Sequence, residues 1–407
     1  MRVCFITNQI AAWGKIGGFG TNTRRLGRAL VERGVDVHVV VPRRPGQGRL
    51  EELDGMAVHG QSAREVFWGW SLYREIDADI YHAEEPTIAA CRAQRALPER
   101  VHLVTSMDPR DREDWKVEFL NATWLRRAKL PLQHYYENGP AVRRAVRGAD
   151  GVYVEAEFLK QKTRRVYGLA EDPGLLPKPI ELPAGPFRKE ERPLCAFLGR
   201  FDPRKRPELF FRLAETMPDV DFVAVGRAHD RAYQRHLERR YFGLPNLRVT
   251  GFVDPFASNG ISRILEKAWL LVHPAAREGL PTAFQEASAH EVAIIAFVDP
   301  GGYVSRFGRV VPDGDGVEGL AVAVRQMVES GEWRERGRRG RDFNARHHSI
   351  DVSAEAHLHA YEQHLSTAGE AEAKRSDGRR AENEGPEAQT LGAREPHRQR
   401  IEPRRRA

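Results

Sequence analysis

Two glutamates flank the predicted start of a helix in the second half of the chain. An apolar run ends at His273, Glu278 follows in a short loop, and Pro281 suits the first turn of a helix that contains Glu286. Glu286 lies roughly 7–8 Å beyond Pro281 along the helix axis. This scale suits contacts with a sugar hydroxyl and a ribose, although paired glutamates on a helix are also typical of a solvated face.

The backbone between these two acids offers a site for an anion. The amides of Gly279 and Leu280 come directly before the predicted first turn. Free N–H groups and the helix dipole favour negative charge at that position. Because Gly279 has no side chain, a ligand can approach its backbone closely.

A basic loop after another apolar strand supplies the matching positive charge. Arg200 and Lys205 follow the apolar run 194–198, and doubly wound sheets bind ligands at the carboxyl ends of their strands. A guanidinium can bind phosphate through two hydrogen bonds, and an ammonium supplies a compact charge. The loop is therefore a candidate phosphate site, with an exposed basic loop as the alternative.

A glycine-rich segment follows the first predicted strand, 2–7. Gly17 and Gly18 separate that strand from a predicted helix over 21–33. Ordinary turns also require glycine, so the segment alone is weak evidence for a ligand site. Its glycines lack the G-x-G-x-x-G spacing of a dinucleotide fingerprint, which argues against an NAD enzyme.

Two successive series of strands and helices must position these loops. Strand 2–7, helix 21–33 and strand 35–41 form a βαβ unit, and the alternation restarts at 194 after a proline-rich stretch. The sequence thus predicts an α/β fold with two Rossmann-like domains. The expected segments are an N-terminal domain (1–172), a linker (173–193), a C-terminal domain (194–350), a helix returning to the N-terminal domain (351–365) and a disordered tail (366–407). The tail is predicted to be disordered because it holds few large apolar residues.

These segments together resemble the GT-B glycosyltransferases of family 4. Glu278 and Glu286, separated by seven residues, are similar to the family's E-x7-E motif, whose first Glu contacts the transferred sugar and whose second contacts the nucleotide ribose. Arg200 and Lys205 are similar to the Arg and Lys that clamp the donor diphosphate. The resemblance runs from Met1 to about residue 365.

The resemblance implies an activity as well as a fold. It implies two domains facing across a cleft, and retaining transfer of a hexose-type sugar from a nucleotide-diphosphate sugar to a glycan, glycolipid or small metabolite. No cofactor or metal is expected, because cations and helix amides neutralise the diphosphate. The residues implied in donor binding besides Glu286 lie in three loops and are Gly17, Gly18, Gly226, Gly279 and Leu280.

The chain also departs from the family pattern. Met107 stands where many relatives have a histidine, which leaves His82 and Asp108 as candidates for contact with the sugar or the acceptor. Lys178 stands between two prolines where the family has Pro-Asn-Gly. Glu291 replaces the glycine that ends the E-x7-E helix, and a left-handed conformation there costs a residue with a Cβ about 1 kcal/mol or more.

The segment from Trp115 to Arg147 interleaves basic and aromatic residues. Such a pattern suits either an anionic membrane surface or ordinary helix packing. No apolar run approaches the ~20 residues of a membrane span. We therefore expect a cytoplasmic protein, peripheral at the inner membrane face if the first interpretation holds.

Other functional classes stay open at this point. A different GT-B nucleotide-sugar enzyme, such as an epimerase, would share the motifs. The formal net charge of +7 would suit a non-catalytic binder of nucleotides or nucleic acid. Basic residues are interspersed with acids, however, and no nucleic-acid motif appears, so no specific nucleic acid is expected as a partner. The three cysteines, Cys4, Cys91 and Cys195, are scattered, which predicts reduced, buried thiols.

Overall fold

Short apolar strands in the N-terminal half build the first sheet. The structure is a computed structural model that describes residues 1–13, 17–122 and 124–383. Strands β1 to β8, in chain order, are Arg2–Ile6, Asp36–Pro42, Leu50–Leu53, Met56–Gln61, Ile80–Ala83, Val101–Ser106, Gly151–Val154 and Gly174–Leu175. The sheet order is β3-β4-β2-β1-β5-β6-β7-β8, and all neighbours are parallel except β3 and β4.

The antiparallel pair β3–β4 was not foreseen from the sequence. Asp54 and Gly55 connect the two strands, and both have positive φ values, 51° and 80°. Asp-Gly is a strong hairpin signal because both central residues of this tight turn need a left-handed backbone. The pair extends the edge of the first sheet beyond β2.

The second sheet has six strands and is parallel throughout. Strands β9 to β14 are Leu194–Leu198, Asp221–Val225, Leu247–Gly251, Leu270–His273, Ala293–Ala296 and Gly308–Val310. Their order is β11-β10-β9-β12-β13-β14. Strands β9, β12 and β13 are buried along their whole length, as expected for a sheet covered by helices on both faces. The predicted strands and the α/β class are confirmed.

Helices connect the strands in both halves. In the N-terminal half, α1 to α8 are Gly18–Val31, Ala63–Trp68, Ser71–Ile76, Ile88–Ala96, Arg112–Leu120, Trp124–Asn138, Pro140–Arg147 and Lys160–Tyr167. In the C-terminal half, α9 to α16 are Pro207–Thr216, Arg231–Tyr241, Gly260–Lys267, Thr282–Ala289, Tyr303–Phe307, Gly316–Ser330, Trp333–His347 and Ile350–Asn383. Short 3-10 helices span Glu157–Leu159, Pro300–Gly302 and Asp313–Asp315.

The last helix, α16, differs from the expectation. It begins at Ile350 and continues to Asn383, so residues 366–383 of the predicted disordered tail are helical. This part of the chain is rich in Ala, Glu and Arg, which have high intrinsic helix propensity. Residues 384–407 of the predicted tail lie outside the described residues.

Apolar clusters fill the space between the sheets and their helices. One cluster packs on the first sheet, and two others cover the two faces of the second sheet. Cys4, Cys91 and Cys195 are buried and free, as predicted. Tyr361 of α16 packs on the first sheet, where its hydroxyl lies 2.8 Å from Nδ1 of His82.

Glu291, at the end of the α12 region, has the left-handed conformation that the sequence suggested. Its φ is 57°. Its carbonyl also packs closely against α15, because a Cβ on Gly337 would lie 2.2 Å from the Glu291 oxygen. Packing against α15 therefore holds Glu291 in the left-handed conformation, despite the conformational free energy that this costs.

Candidate functional site

Glu278 and Lys205 meet where two strands of the second sheet end. Glu278 lies between β12 and α12, and Lys205 lies in the loop after β9. The Lys205 ammonium forms an ion pair with Oε1 of Glu278, and Nε2 of His273 lies 3.0 Å from the same oxygen. Because that oxygen accepts, His273 carries its proton on Nε2. The structure thus brings together one acid and one cation that the sequence had singled out.

Lys205 and His273 together control the ionisation of Glu278. Burial by itself would raise the pKa of this carboxyl, but the Lys205 ammonium and the His273 hydrogen bond outweigh burial and hold the pKa well below its usual range. Burial lowers the pKa of His273, so that histidine is neutral at physiological pH. Glu278 is therefore a carboxylate with a fixed orientation.

Arg200, the other predicted cation, has a different environment. Its side chain is exposed, and it forms no ion pair within 4.0 Å with any residue that the structure describes. Its neighbours Gly199 and Gly226 have φ values of 152° and 151°. A Cβ on Gly226 would lie 1.9 Å from the Gly199 oxygen. Packing between these two loops therefore requires glycine at position 226, whether or not this residue also binds the donor.

Two helix N-termini, one from each domain, contact each other. Helix α1 begins at Gly18 and α12 begins at Thr282, and a Cβ on Gly18 would lie 2.7 Å from the Thr282 hydroxyl oxygen. Gly17 caps α1 in an extended conformation. Unpaired amides and helix dipoles from two directions favour an anion between them.

Glu286, the second acid of the pair, contacts the opposite domain. Its Oε1 lies 3.2 Å from Nη2 of Arg25 on α1. Burial raises the pKa of Glu286, and Arg25 opposes that rise. Glu278 and Glu286 therefore occupy two separate ion pairs, and Arg25 is a partner that sequence reasoning missed. Sequence spacing gives no signal for a contact between residues 25 and 286.

Ion pairs join the two domains in front of Glu278. Arg277 contacts both oxygens of Asp108, at 2.9 and 2.5 Å, and Oδ1 of Asp114 at 2.6 Å. Arg204 adds a contact of 2.5 Å to Glu118 on α5. These side chains are mostly buried, and the cleft between the domains is closed around them. Asp108 is thus part of the interdomain contact, and its predicted contact with sugar stays a prediction.

Two family models match this chain. The model for Glycosyltransferase Family 4 matches residues 16–182, and the model for Glycosyl transferases group 1 matches residues 192–330. Together these stretches take in most of the chain, one on each sheet. The chain is a GT-B glycosyltransferase of this family. No curated protein sequence matches it significantly.

Solved structures share the fold of this glycosyltransferase at low sequence identity. Sucrose-phosphate synthase from Thermosynechococcus elongatus is 17% identical with a TM-score of 0.70, covering 90% of this chain and 99% of its own. Anabaena HepE, solved with UDP and glucose, is 14% identical with a TM-score of 0.65, covering 88% and 99%. The catalytic domain of starch synthase IV from Arabidopsis thaliana, bound to ADP and acarbose, is 15% identical with a TM-score of 0.62, covering 89% and 99%. The predicted arrangement of two domains across a cleft is confirmed.

His82 has an inward-facing position in the glycosyltransferase. Its Nδ1 lies 2.8 Å from the Tyr361 hydroxyl, and its Nε2 lies 2.7 Å from the Thr105 hydroxyl. Burial lowers its pKa well below the ordinary value. Because both ring nitrogens have partners inside the protein, His82 has no free nitrogen for the acceptor contact that the sequence suggested.

Lys178 of the linker is a further residue that the sequence did not single out for function. Its ammonium lies 2.9 Å from Oε1 of Glu155 and also donates to the carbonyl of Leu280. Lys178 and Glu155 are both buried. The linker lysine thus fixes the backbone just before α12, at the loop that carries Glu278 and Gly279. A charged residue between two prolines gives no sign of burial in the sequence.

Glu84, directly after β5, gives the glycosyltransferase a predicted pH dependence. Burial raises its pKa to about 8, whereas the ordinary value is 4.5. The Thr23 hydroxyl contacts both the Phe19 carbonyl and Glu84, but it has only one proton to donate. When that proton goes to the Phe19 carbonyl, a protonated Glu84 can donate to the Thr23 oxygen. Between these pKa values the folded state binds more protons than the unfolded state, and stability falls as pH rises.

A Glu84→Gln variant should therefore lose part of this pH dependence. We expect the wild-type free energy of unfolding to fall between pH 6 and 8 by up to about 1.4 kcal/mol per pH unit from this group, and the variant to show a flatter profile. Urea unfolding at several pH values measures the slope. Glu157→Gln, which changes an exposed glutamate, is the control. Equal slopes in wild type and Glu84→Gln would contradict the assignment.

The described residues contain neither a membrane-spanning helix nor a cluster of metal-ligating side chains. No helix there is both long and apolar enough to cross a membrane. No group of three or more His, Cys, Asp or Glu side chains in the same part of the chain is arranged to hold a metal ion.

Proposed function

We propose that this glycosyltransferase moves a hexose-type sugar from a nucleotide-diphosphate sugar to an acceptor, with retention at the anomeric carbon. The observation that carries the proposal is the contact between Lys205 and Glu278 beside the start of α12. Lys205, a cation for the diphosphate, is thus in direct contact with Glu278, an oriented carboxylate for the sugar. HepE and starch synthase IV, which share the fold, were solved with UDP and glucose and with ADP, respectively.

The donor diphosphate would lie where the two helix N-termini converge. Lys205, Arg200 and the amides of Gly279 and Leu280 would stabilise the negative charge that grows on the leaving diphosphate. Arg200 is the cation without an internal partner among the described residues, so it can bind phosphate without breaking an ion pair. Lys205 would bridge Glu278 and the diphosphate.

The reaction can proceed without a dedicated base. The bond between the anomeric carbon and the diphosphate oxygen breaks, and the acceptor hydroxyl forms its bond on the same face of the sugar. The departing phosphate oxygen takes the hydroxyl proton. Glu278 would orient the sugar through its hydroxyl groups, and closure of the domains would exclude water from the reacting carbon.

Glu286 would bind the ribose, but only after a rearrangement. In the closed structure its carboxylate faces Arg25 of α1 across the cleft. Opening the cleft moves α1 away from α12 and frees this carboxylate for the ribose hydroxyls. When the cleft closes again, Arg25 would lie beside the bound nucleotide instead of pairing with Glu286 alone.

Donor choice and stereochemistry test this proposal together. We expect one or more members of a panel of UDP-, GDP- and ADP-sugars to raise the thermal unfolding midpoint, because a ligand that binds the folded state stabilises it. With that donor and a simple acceptor, proton NMR should show a product of the same anomeric configuration as the donor. Stabilisation without transfer, with an epimerised nucleotide sugar as product, would favour the epimerase alternative. An inverted product would exclude retention.

A membrane surface is a second candidate partner, through helices α5 and α6. Leu120, Trp124, Leu132 and Tyr135 are 71%, 76%, 69% and 56% exposed. Exposed large apolar side chains on two successive helices that also carry basic residues suit the interface of an anionic bilayer.

Flotation with vesicles tests this membrane contact. We expect the wild type to float with vesicles that contain phosphatidylserine, less at high salt, and Trp124→Ala with Leu132→Ala to lower the bound fraction several-fold. Val322→Ala, at an exposed apolar site on α14, is the control. Absence of salt-sensitive binding by the wild type would remove the membrane from the list of partners.

A further inference from the structure

A cavity of about 790 Å³ lies between helices α5, α6, α7 and α8 of the N-terminal domain. Its volume is in the range of sites for small organic molecules. The residues assigned to the donor, Glu278, Glu286, Arg200 and Lys205, do not line it. The cavity is therefore a site that the donor does not account for.

Positive charge dominates the wall of this cavity. Six lining side chains are Arg or Lys and two are acidic. Both acids are engaged elsewhere: Asp111 caps α5, accepting from backbone amides, and Glu113 pairs with Lys116. Within the described residues, Arg112, Arg143 and Arg165 form no ion pair within 4.0 Å. All three side chains are exposed, so an anion in the cavity can bind them without breaking an ion pair.

An aromatic cluster forms the rest of the wall. The Trp115 ring lies 5.1 Å from the His134 ring in an edge-to-face arrangement, and the Arg110 guanidinium lies 5.2 Å from the Trp115 ring centre. Indole Nε1 of Trp115 is buried and has no hydrogen-bond partner among the described residues. Leu130 and Val166 are buried beside it. This wall suits an apolar or aromatic group next to the anion.

The cavity adjoins the interdomain contact in front of Glu278. Lys162 lies 2.5 Å from Asp114, and Arg110 lies 3.8 Å from Asp108. Both acids bind Arg277, the residue before Glu278. A molecule in the cavity would therefore lie next to the side chains that join the two domains beside the proposed sugar site.

We propose that this cavity binds the acceptor, and that the acceptor carries a phosphate or carboxylate joined to an apolar or aromatic group. The inference rests on the proposed function, because it assigns the second substrate of the same reaction. The anionic group would bind Arg112, Arg143 and Arg165, the apolar part would pack on Trp115, and the acceptor hydroxyl would extend towards Glu278.

Binding of 1-naphthyl phosphate to the full chain tests the site. Calorimetry should show the compound binding at least tenfold more tightly than either 1-naphthol or inorganic phosphate, since each lacks half of the recognised chemistry. Arg143→Ala with Arg165→Ala should weaken binding tenfold or more. Arg144→Ala, which removes the next arginine on α7 outside the cavity lining, should leave binding unchanged. Dodecyl phosphate binding more tightly than the naphthyl compound would indicate a lipid-linked acceptor, and the reverse order a compact aromatic one.

Equal binding by wild type and the double variant, or equal binding of inorganic phosphate and 1-naphthyl phosphate, would overturn the inference. The rate at which the protein hydrolyses the nucleotide sugar, with water in place of the acceptor, reports on the donor site alone. It therefore separates failure of this inference from failure of the proposed function. We expect the double variant to hydrolyse the donor at the wild-type rate while it loses the naphthyl compound. Binding of 1-naphthyl phosphate by a chain that neither binds nor hydrolyses any nucleotide sugar would leave a ligand site but contradict its assignment to the acceptor.

Discussion

Replacing Lys205 by alanine should lower the kcat of sugar transfer by about 10²–10³-fold, the usual cost of losing one group that stabilises transition-state charge. The lysine has two effects. It would supply positive charge to the leaving diphosphate, and it keeps the buried Glu278 ionised. Without it, burial would raise the pKa of Glu278 and leave the carboxyl protonated over more of the pH range. Initial rates at saturating donor, together with the thermal unfolding midpoint, measure both consequences.

The neighbouring Arg206 provides a matched control for this experiment. It lies in the same loop but pairs with Asp313, an exposed residue. Arg206→Gln removes one positive charge from the loop and should retain most of the activity. Glu278→Gln keeps the shape of the side chain and should reduce transfer by a similar factor to Lys205→Ala. A Lys205→Ala protein with wild-type kcat would show that this ion pair has no part in catalysis.

Replacing Arg277 by alanine should open the cleft and destabilise the protein by about 3 kcal/mol, the lower range for removing one partner of a buried ion pair. Arg277 holds Asp108 and Asp114 together, and their side chains are only 15% and 13% exposed. Its loss leaves two desolvated carboxylates close to each other without their shared cation. We expect a larger radius of gyration by small-angle X-ray scattering, and a raised KM for the donor because closure is impaired.

The pH dependence gives this second prediction a signature of its own. Burial would raise the pKa of Asp114, but Arg277 and Lys162 overcome that effect and lower it from 3.8 to about 2. The stability from this contact is thus fully present above pH 4–5 and is lost as pH falls towards 2. The gap in unfolding free energy between wild type and Arg277→Ala should shrink over that interval. Arg192→Ala, which breaks an exposed pair with Asp221, should cost at most about 1 kcal/mol. An equally small effect from Arg277→Ala would contradict the role of Arg277 in closure.

The elements that carry the proposed donor-binding residues could be predicted from the sequence because their signals are local. Apolar runs define β9 and β12, Pro281 marks the start of α12, and the departure at Glu291 indicated a left-handed residue. The short hairpin β3–β4 was missed although Asp54-Gly55 is a turn signal. Neither of its strands forms a long apolar run, and the hairpin joins the sheet only where β4 pairs with β2.

The contacts between the domains could not be predicted in the same way. Arg25 pairs with Glu286, and Arg277 with Asp108, across separations of 261 and 169 residues. Such pairs depend on how the two domains close, which no local pattern specifies. Lys178 was recognised only as a departure from the family, because burial of a charged side chain depends on a partner such as Glu155. The interleaved basic and aromatic segment was noticed, but the cavity appears only when α8 packs beside α5 and α6.

A crystal structure with the nucleotide sugar selected by the stabilisation panel is the most direct measurement of the proposed site. We predict diphosphate oxygens within hydrogen-bond distance of Lys205 and Arg200, at the start of α12, with the sugar against Glu278 and the ribose against Glu286. A donor bound elsewhere, with Lys205 still paired only to Glu278 and Arg25 still occupying Glu286, would contradict it.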